Sequence, residues 1–138
     1  MTPFRSQRRV EFRDTDAAGI AHFSTFFNYM EEVEHEFLRS LGLSVVMHDD
    51  QGVVSWPRVS AQCDYQGAVR FEDVVDVELS VARVGEKSVT YHFVFRHDGR
   101  QVAEGRLTAV CCRMDDGAPR SVPILREAAE MLRSRSSS

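Results

Sequence analysis

Residues 24–41, STFFNYMEEVEHEFLRSL, carry the one long helical signal in the chain, and that signal constrains everything around it. Phe26, Phe27, Met30, Val33, Phe37, Leu38 and Leu41 recur at steps of three and four, which puts them on one helical stripe. Glu31, Glu32, His35, Glu36 and Arg39 supply most of the opposite face. Ser24 is the expected N-cap, and Gly42 stands where a left-handed residue would stop the helix. A stripe this rich in aromatic and large apolar side chains has to be covered. The cover must come from a sheet.

The remaining sequence reads as that sheet. Residues 4–13 alternate, with Val10 and Phe12 set against Arg9, Glu11 and Arg13. Residues 53–65 form a second expected strand. Val75, Val77, Leu79 and Val81 alternate with Asp76, Glu78 and Ser80, the pattern of a strand with one buried face. Val84-Gly85-Glu86-Lys87 is a tight connection into a return strand carrying Val89, Tyr91, Phe93 and Phe95. Asp98-Gly99 then marks a hairpin into a last strand over residues 101–113. Leu125, Ala128, Ala129 and Leu132 predict a short helix over residues 123–133, and the polar residues 134–138 predict a frayed tail. Strands joined by short turns should run antiparallel. The expected architecture is α+β: a five-stranded antiparallel sheet wrapped around one long helix, as a single domain over residues 1–138. The outer face of such a sheet calls for a partner, so a dimer is expected.

Composition removes several function classes. The 138 residues carry a net charge of −4, which opposes sequence-independent nucleic-acid binding. The one dense basic run, Arg5 to Arg9, reads as a solvated strand edge. No window approaches the ~20 apolar residues that span a bilayer. The start of the chain has no apolar core of a secretory signal, so a soluble, cytoplasmic protein is expected. Three cysteines, Cys63, Cys111 and Cys112, form neither a disulfide framework nor a C-x-x-C metal pair. Reduced, buried thiols are the simplest reading. The histidines show no ligand spacing, and His35, His92 and His97 read as surface residues.

Chemistry concentrates in F12-R13-D14-T15-D16-A17-A18-G19-I20-A21-H22-F23-S24. D-x-D-x-x-G matches the start of a calcium loop, but Ala18 and Thr25 occupy its fifth and twelfth positions and no helix precedes it. Calcium is rejected. A turn in which acids bond their own backbone explains Asp14 well. It does not explain a second acid, Gly19 and His22 together ahead of an apolar helix. A helix N-terminus offers unpaired N–H groups and a partial positive charge. A carboxylate beside it combines a nucleophile or general base with an oxyanion stabiliser.

DTDAAGIAHFSTFFNYMEEVE resembles the signature of the 4-hydroxybenzoyl-CoA thioesterase family, which has the hotdog fold. The resemblance continues at SAQCDY, residues 60–65, and at VRFEDVVDV, residues 69–77. It implies an acyl-CoA thioesterase with Asp16 as the catalytic carboxylate, nucleophile or general base, and the Phe23 backbone N–H polarising the thioester carbonyl. Gly19 would let backbone approach the thioester closely. His22 would serve as a wall, a hydrogen-bonding group or a proton-transfer group. Trp56 and Arg58 would reach the neighbouring subunit's Asp16 region, although Trp56 reads equally as a core aromatic. Lys87 would contact coenzyme A from its hairpin tip, where an exposed lysine is otherwise simply solvated. The family's subunits pair with active sites between them, which implies a homodimer or a tetramer built of two dimers.

The implied substrate is a small acyl-CoA, aryl or short to medium aliphatic. Neither a metal nor a cofactor is expected, since coenzyme A belongs to the substrate. The residues leave the nucleophilic and general-base roles of Asp16 open. Two rivals remain: a hotdog hydratase acting on enoyl thioesters, and a non-catalytic acyl-CoA or lipid-binding module.

Overall fold

The structure is a computed structural model that describes residues 2–115 and 117–136. Helix α1 spans Thr25–Ser40, and its buried residues Phe26, Met30, Val33, Phe37 and Leu38 keep the expected step of three and four. Five strands cover it: β1 (Phe4–Arg9), β4 (Arg58–Tyr65), β5 (Val74–Val84), β6 (Ser88–His97) and β7 (Arg100–Val110). Their order across the sheet is β1-β5-β6-β7-β4, antiparallel at every pair. The long helix wrapped by an antiparallel sheet is the α+β hotdog arrangement.

Alternation builds the core. Val75, Val77, Leu79 and Val81 of β5 face α1, as do Val89, Tyr91, Phe93 and Phe95 of β6. Edge-to-face contacts stitch helix to sheet, Phe26 on Phe95 at 5.2 Å and Phe37 on Tyr91 at 6.0 Å. Each such buried side chain contributes about 2 kcal/mol of burial. Gly105 makes room for the helix, because a Cβ there would sit 2.5 Å from Met30 Sδ.

Several expectations need correction. The first strand stops at Arg9, and a 3-10 turn over Phe12–Asp14 follows, leaving Phe12 77% exposed. The strand expected over residues 53–65 is two, β3 (Gly52–Ser55) and β4, broken at Trp56-Pro57 because proline cannot donate to a ladder. The last strand likewise divides into β7 and β8 (Cys112–Arg113). With β2 (Val46–Asp49) and β9 (Arg120–Ser121), β3 and β8 form a second sheet of order β2-β3-β8-β9. Arg113 clamps it by donating to both carboxylate oxygens of Asp49 at 2.6 Å, which holds the Asp49 pKa down to about 2. The terminal helix α2 spans Arg126–Ser134, so Ser134 is helical, and Ser136 bridges Val81. Of the expected frayed tail, Ser137 and Ser138 lie outside the described residues. Cys111 and Cys112 are buried and Cys63 half-buried, all three as free thiols.

The two edges of the main sheet differ. β1 is ion-paired to the helix, Arg8 donating to Glu32 at 2.8 Å and to Glu36. On β4, by contrast, Val59 is 63% and Tyr65 45% exposed, and side chains on both faces are open.

Candidate active site

The segment between β1 and α1 is organised around Asp14. Its Oδ2 accepts the Glu11 N–H at 2.8 Å and the Tyr29 hydroxyl at 3.1 Å. Its carbonyl accepts the His22 N–H at 2.7 Å and the Thr25 hydroxyl at 2.8 Å. Burial, reinforced by the Asp14 charge, raises the Tyr29 phenol well above its ordinary range, so it stays a donor. Asp14 therefore braces the loop, as the turn reading requires.

Asp16 is placed differently. Residues 15 and 21 bridge at the base of its loop, where Asp16 N–H donates to the Ile20 carbonyl at 3.0 Å. Gly19, at φ +80°, supplies the left-handed residue that closes the turn, its N–H donating to the Asp16 carbonyl at 2.9 Å. Asp16 Oδ1 accepts the Ala18 N–H at 2.8 Å. That is the one hydrogen bond to this carboxylate among the described residues, and Oδ2 is left over. The exposed side chain lines a cleft of about 340 Å³ together with Ile20, Phe23, Phe26, Tyr65 and Val69.

Phe23 lines the same cleft at the mouth of α1. The carbonyl of His22 accepts the Thr25 N–H at 2.9 Å. In a trans peptide this directs the Phe23 N–H the opposite way, and it meets no acceptor among the described residues. Ser24 is not the side-chain cap that the sequence suggests. It is already helical at φ −73°, and the Ser24 N–H instead donates to His22 Nδ1 at 3.2 Å. The His22 ring also lies 2.8 Å from Ser24 Oγ and stacks on Phe23 at 4.5 Å. His22 thus makes its hydrogen bonds at the helix start. Tyr65, from β4, donates its hydroxyl to the Phe23 carbonyl at 2.6 Å. Burial, with Cys63 adding to it, pushes its phenol up to about 12, so it remains protonated at neutral pH. Burial also raises the Cys63 thiol to about 11, which disfavours a thiolate nucleophile.

The other candidates lie elsewhere in the chain. Trp56 is 7% exposed and belongs to the core. Arg58 forks onto Glu34, Nη1 donating to Oε2 at 2.8 Å and Nη2 to Oε1. The Glu34 side chain is only 1% exposed, and its burial raises its pKa even against the pull of Arg58. Lys87 is exposed at the β5–β6 tip, where its carbonyl accepts the Cys111 N–H at 2.7 Å. The 11 residues of β5 separate that tip from the Asp16 end of the sheet, roughly 33 Å of strand. One chain therefore brings together Asp16, Gly19, His22 and Phe23, and keeps Trp56, Arg58 and Lys87 apart from them. The histidines read as surface residues are half-buried and engaged, His92 with Glu104 at 2.7 Å and His97 with the Val74 carbonyl at 3.0 Å.

Two residues escaped the sequence reading. Glu34 could have been found, because it lies on the apolar stripe four residues from Met30 and three from Phe37. Nothing in the spacing around Tyr65 marks its hydroxyl. Among the described residues no group of three or more His, Cys, Asp or Glu could hold a metal ion, and no helix is long and apolar enough to cross a membrane.

The pattern of the thioesterase-like superfamily matches residues 10–134. The chain is 28% identical over 112 residues to a 1,4-dihydroxy-2-naphthoyl-CoA hydrolase of Synechococcus elongatus, covering 80% of this chain and 82% of that one. It is 27% identical over 115 residues to the 4-hydroxybenzoyl-CoA thioesterase of Pseudomonas sp. strain CBS-3, covering 80% and 77%. The crystal structure of an Aquifex aeolicus protein superposes with a TM-score of 0.85 at 32% identity, over 94% of this chain and 99% of that one. With the hotdog architecture and the Asp16 loop in place, the chain belongs to the thioesterase-like superfamily.

Proposed function

We propose that this protein hydrolyses aromatic acyl-CoA thioesters, with Asp16 as the catalytic carboxylate and the Phe23 N–H as the oxyanion donor. One observation carries the reading: a carboxylate oxygen and a backbone N–H, both without partners among the described residues, belong to residues that line the same cleft. The thioester carbonyl oxygen would accept from Phe23, where a fixed donor facing developing charge is worth about 3 kcal/mol. Asp16 Oδ2 supplies the electron pair, either to the carbonyl carbon, giving an acyl anhydride that water then cleaves to the free acid and Asp16, or to a proton of a water that attacks the carbonyl carbon directly. Coenzyme A leaves as a thiolate, so no strong general acid is required. The aromatic preference follows the relatives' substrates and suits the Phe23, Phe26 and Tyr65 lining.

The reading uses two copies of the chain. The open edge of β4 can pair antiparallel with the same strand of a second copy, giving a homodimer that can double to a tetramer. Such pairing sets Arg58 of one copy opposite Tyr65 of the other, beside the cleft that Asp16 lines. Lys87 lies too far from Asp16 in its own chain to meet the same ligand, so any contact with coenzyme A comes from the neighbouring copy. Metal and cofactor play no part, and the setting is the cytoplasm, where the three cysteines stay reduced.

Thiol release from acetyl-, medium-chain and aromatic acyl-CoA, followed with a thiol reagent, tests the proposal. The expected result is highest kcat/KM on the aromatic thioesters. No release from any of them would leave an acyl-CoA-binding module, and loss of enoyl absorbance from an enoyl-CoA without thiol release would identify a hydratase.

A further inference from the structure

We propose that Tyr65 is a positioning residue that holds the Phe23 amide at the angle catalysis needs; this rests on the reading of the Phe23 N–H as oxyanion donor. An amide stabilises a developing oxyanion only if it is fixed beforehand, since reorientation during the reaction would cost what the hydrogen bond returns. Phe23 has little packing to fix it, because the residue is 64% exposed and contributes nothing to the core. On the helix side, its preceding peptide is set by the bond from the Thr25 N–H to the His22 carbonyl. On its other side, the following peptide is held by the Ser24 N–H on His22 Nδ1 and by the Tyr65 hydroxyl, the one tether to the sheet, which reaches the Phe23 carbonyl at 2.6 Å across 42 residues of sequence. Phe23 is pinned between the two.

Tyr65 is itself anchored well enough to serve. Its ring meets Phe26 edge to face at 5.6 Å, and Phe26 is 3% exposed in the core. The tether joins the residue just ahead of α1 to strand β4, so it fixes the position of Phe23 relative to the sheet edge that also lines the cleft. Ring and hydroxyl therefore have separable tasks. The ring lines the cleft, and the hydroxyl aims the amide.

That separation defines the test. Tyr65→Phe keeps the ring and removes only the donor, leaving the Phe23 carbonyl to water. Because one hydrogen bond is lost, kcat should fall about 3- to 10-fold while KM and the melting temperature stay near wild type. The carbonyl at which the amide acts is common to all acyl-CoAs, so the same factor should appear with aromatic and aliphatic substrates. Tyr65→Ala, which also removes the wall, should in addition raise KM. Wild-type kcat in Tyr65→Phe overturns the inference while leaving the proposed function standing. So does a loss that falls on KM or varies with the acyl group. Absence of thiol release by the wild-type protein overturns both.

Discussion

The two ends of helix α1 follow opposite rules. At the C-terminal end Gly42, at φ +76°, donates its N–H to the Arg39 carbonyl at 3.0 Å, and the Leu43 N–H reaches the Leu38 carbonyl at 2.8 Å. This pair of bonds satisfies carbonyls that the helix itself cannot. At the N-terminal end no Ser24 side chain caps the helix, the Ser24 N–H turns to His22 Nδ1, and the Phe23 N–H just ahead finds no acceptor among the described residues. A fold selected only for stability would close both ends. Local rules of stability fail where a chain keeps groups in reserve for a ligand, and here the open end is the one that faces the Asp16 cleft.

Variants at the two ends, and at the buried charge between them, should separate stability from activity. The largest stability effect is expected in the middle of the helix, where Arg58→Ala would strand the Glu34 carboxylate in the core. A loss of about 3 kcal/mol in urea unfolding is expected, the low end for a buried pair because the Arg58 side chain is 26% exposed. Gly42→Ala breaks the closed end. Space is open around it, so the cost is the left-handed backbone alone, about 1–2 kcal/mol, with kcat on an aromatic acyl-CoA unchanged. Asp14→Asn weakens the bracing beside the open end through the Glu11 and Tyr29 bonds. It should cost about 1 kcal/mol of stability by the same measurement, with a smaller loss of activity than any change at Asp16. A Gly42→Ala protein that lost turnover, or an Asp14→Asn protein as inactive as an Asp16 variant, would erase the distinction between the ends.

Much of this division is readable in the sequence because it rests on periodicity and turn chemistry. The spacing from Phe26 to Leu38 locates α1, the alternation in Val75 to Val81 and Val89 to Phe95 locates the central strands, and Gly42 marks the closed end. That the turn holds one acid more than bracing uses is also readable, and the structure places Asp14 in the bracing and leaves the Asp16 side chain exposed. The second sheet was not legible, since strands of two to four residues such as β8 and β9 show no period, and the Arg113–Asp49 clamp that ties β8 to β2 joins residues 64 apart. The role of His22 as partner of the Ser24 N–H, in place of the expected serine cap, depends on a ring orientation that spacing does not encode. Tyr65 escaped for the same reason: its partner is a carbonyl 42 residues away, and only the sheet brings them together.

The central claim is that the carboxylate at position 16 acts on a thioester carbonyl. It is tested most directly by comparing thiol release from an aromatic acyl-CoA by the wild-type protein and Asp16→Asn, with melting curves of both. A fall in kcat of about 100-fold or more with an unchanged melting temperature is expected. Turnover of the variant at the wild-type rate would contradict the account.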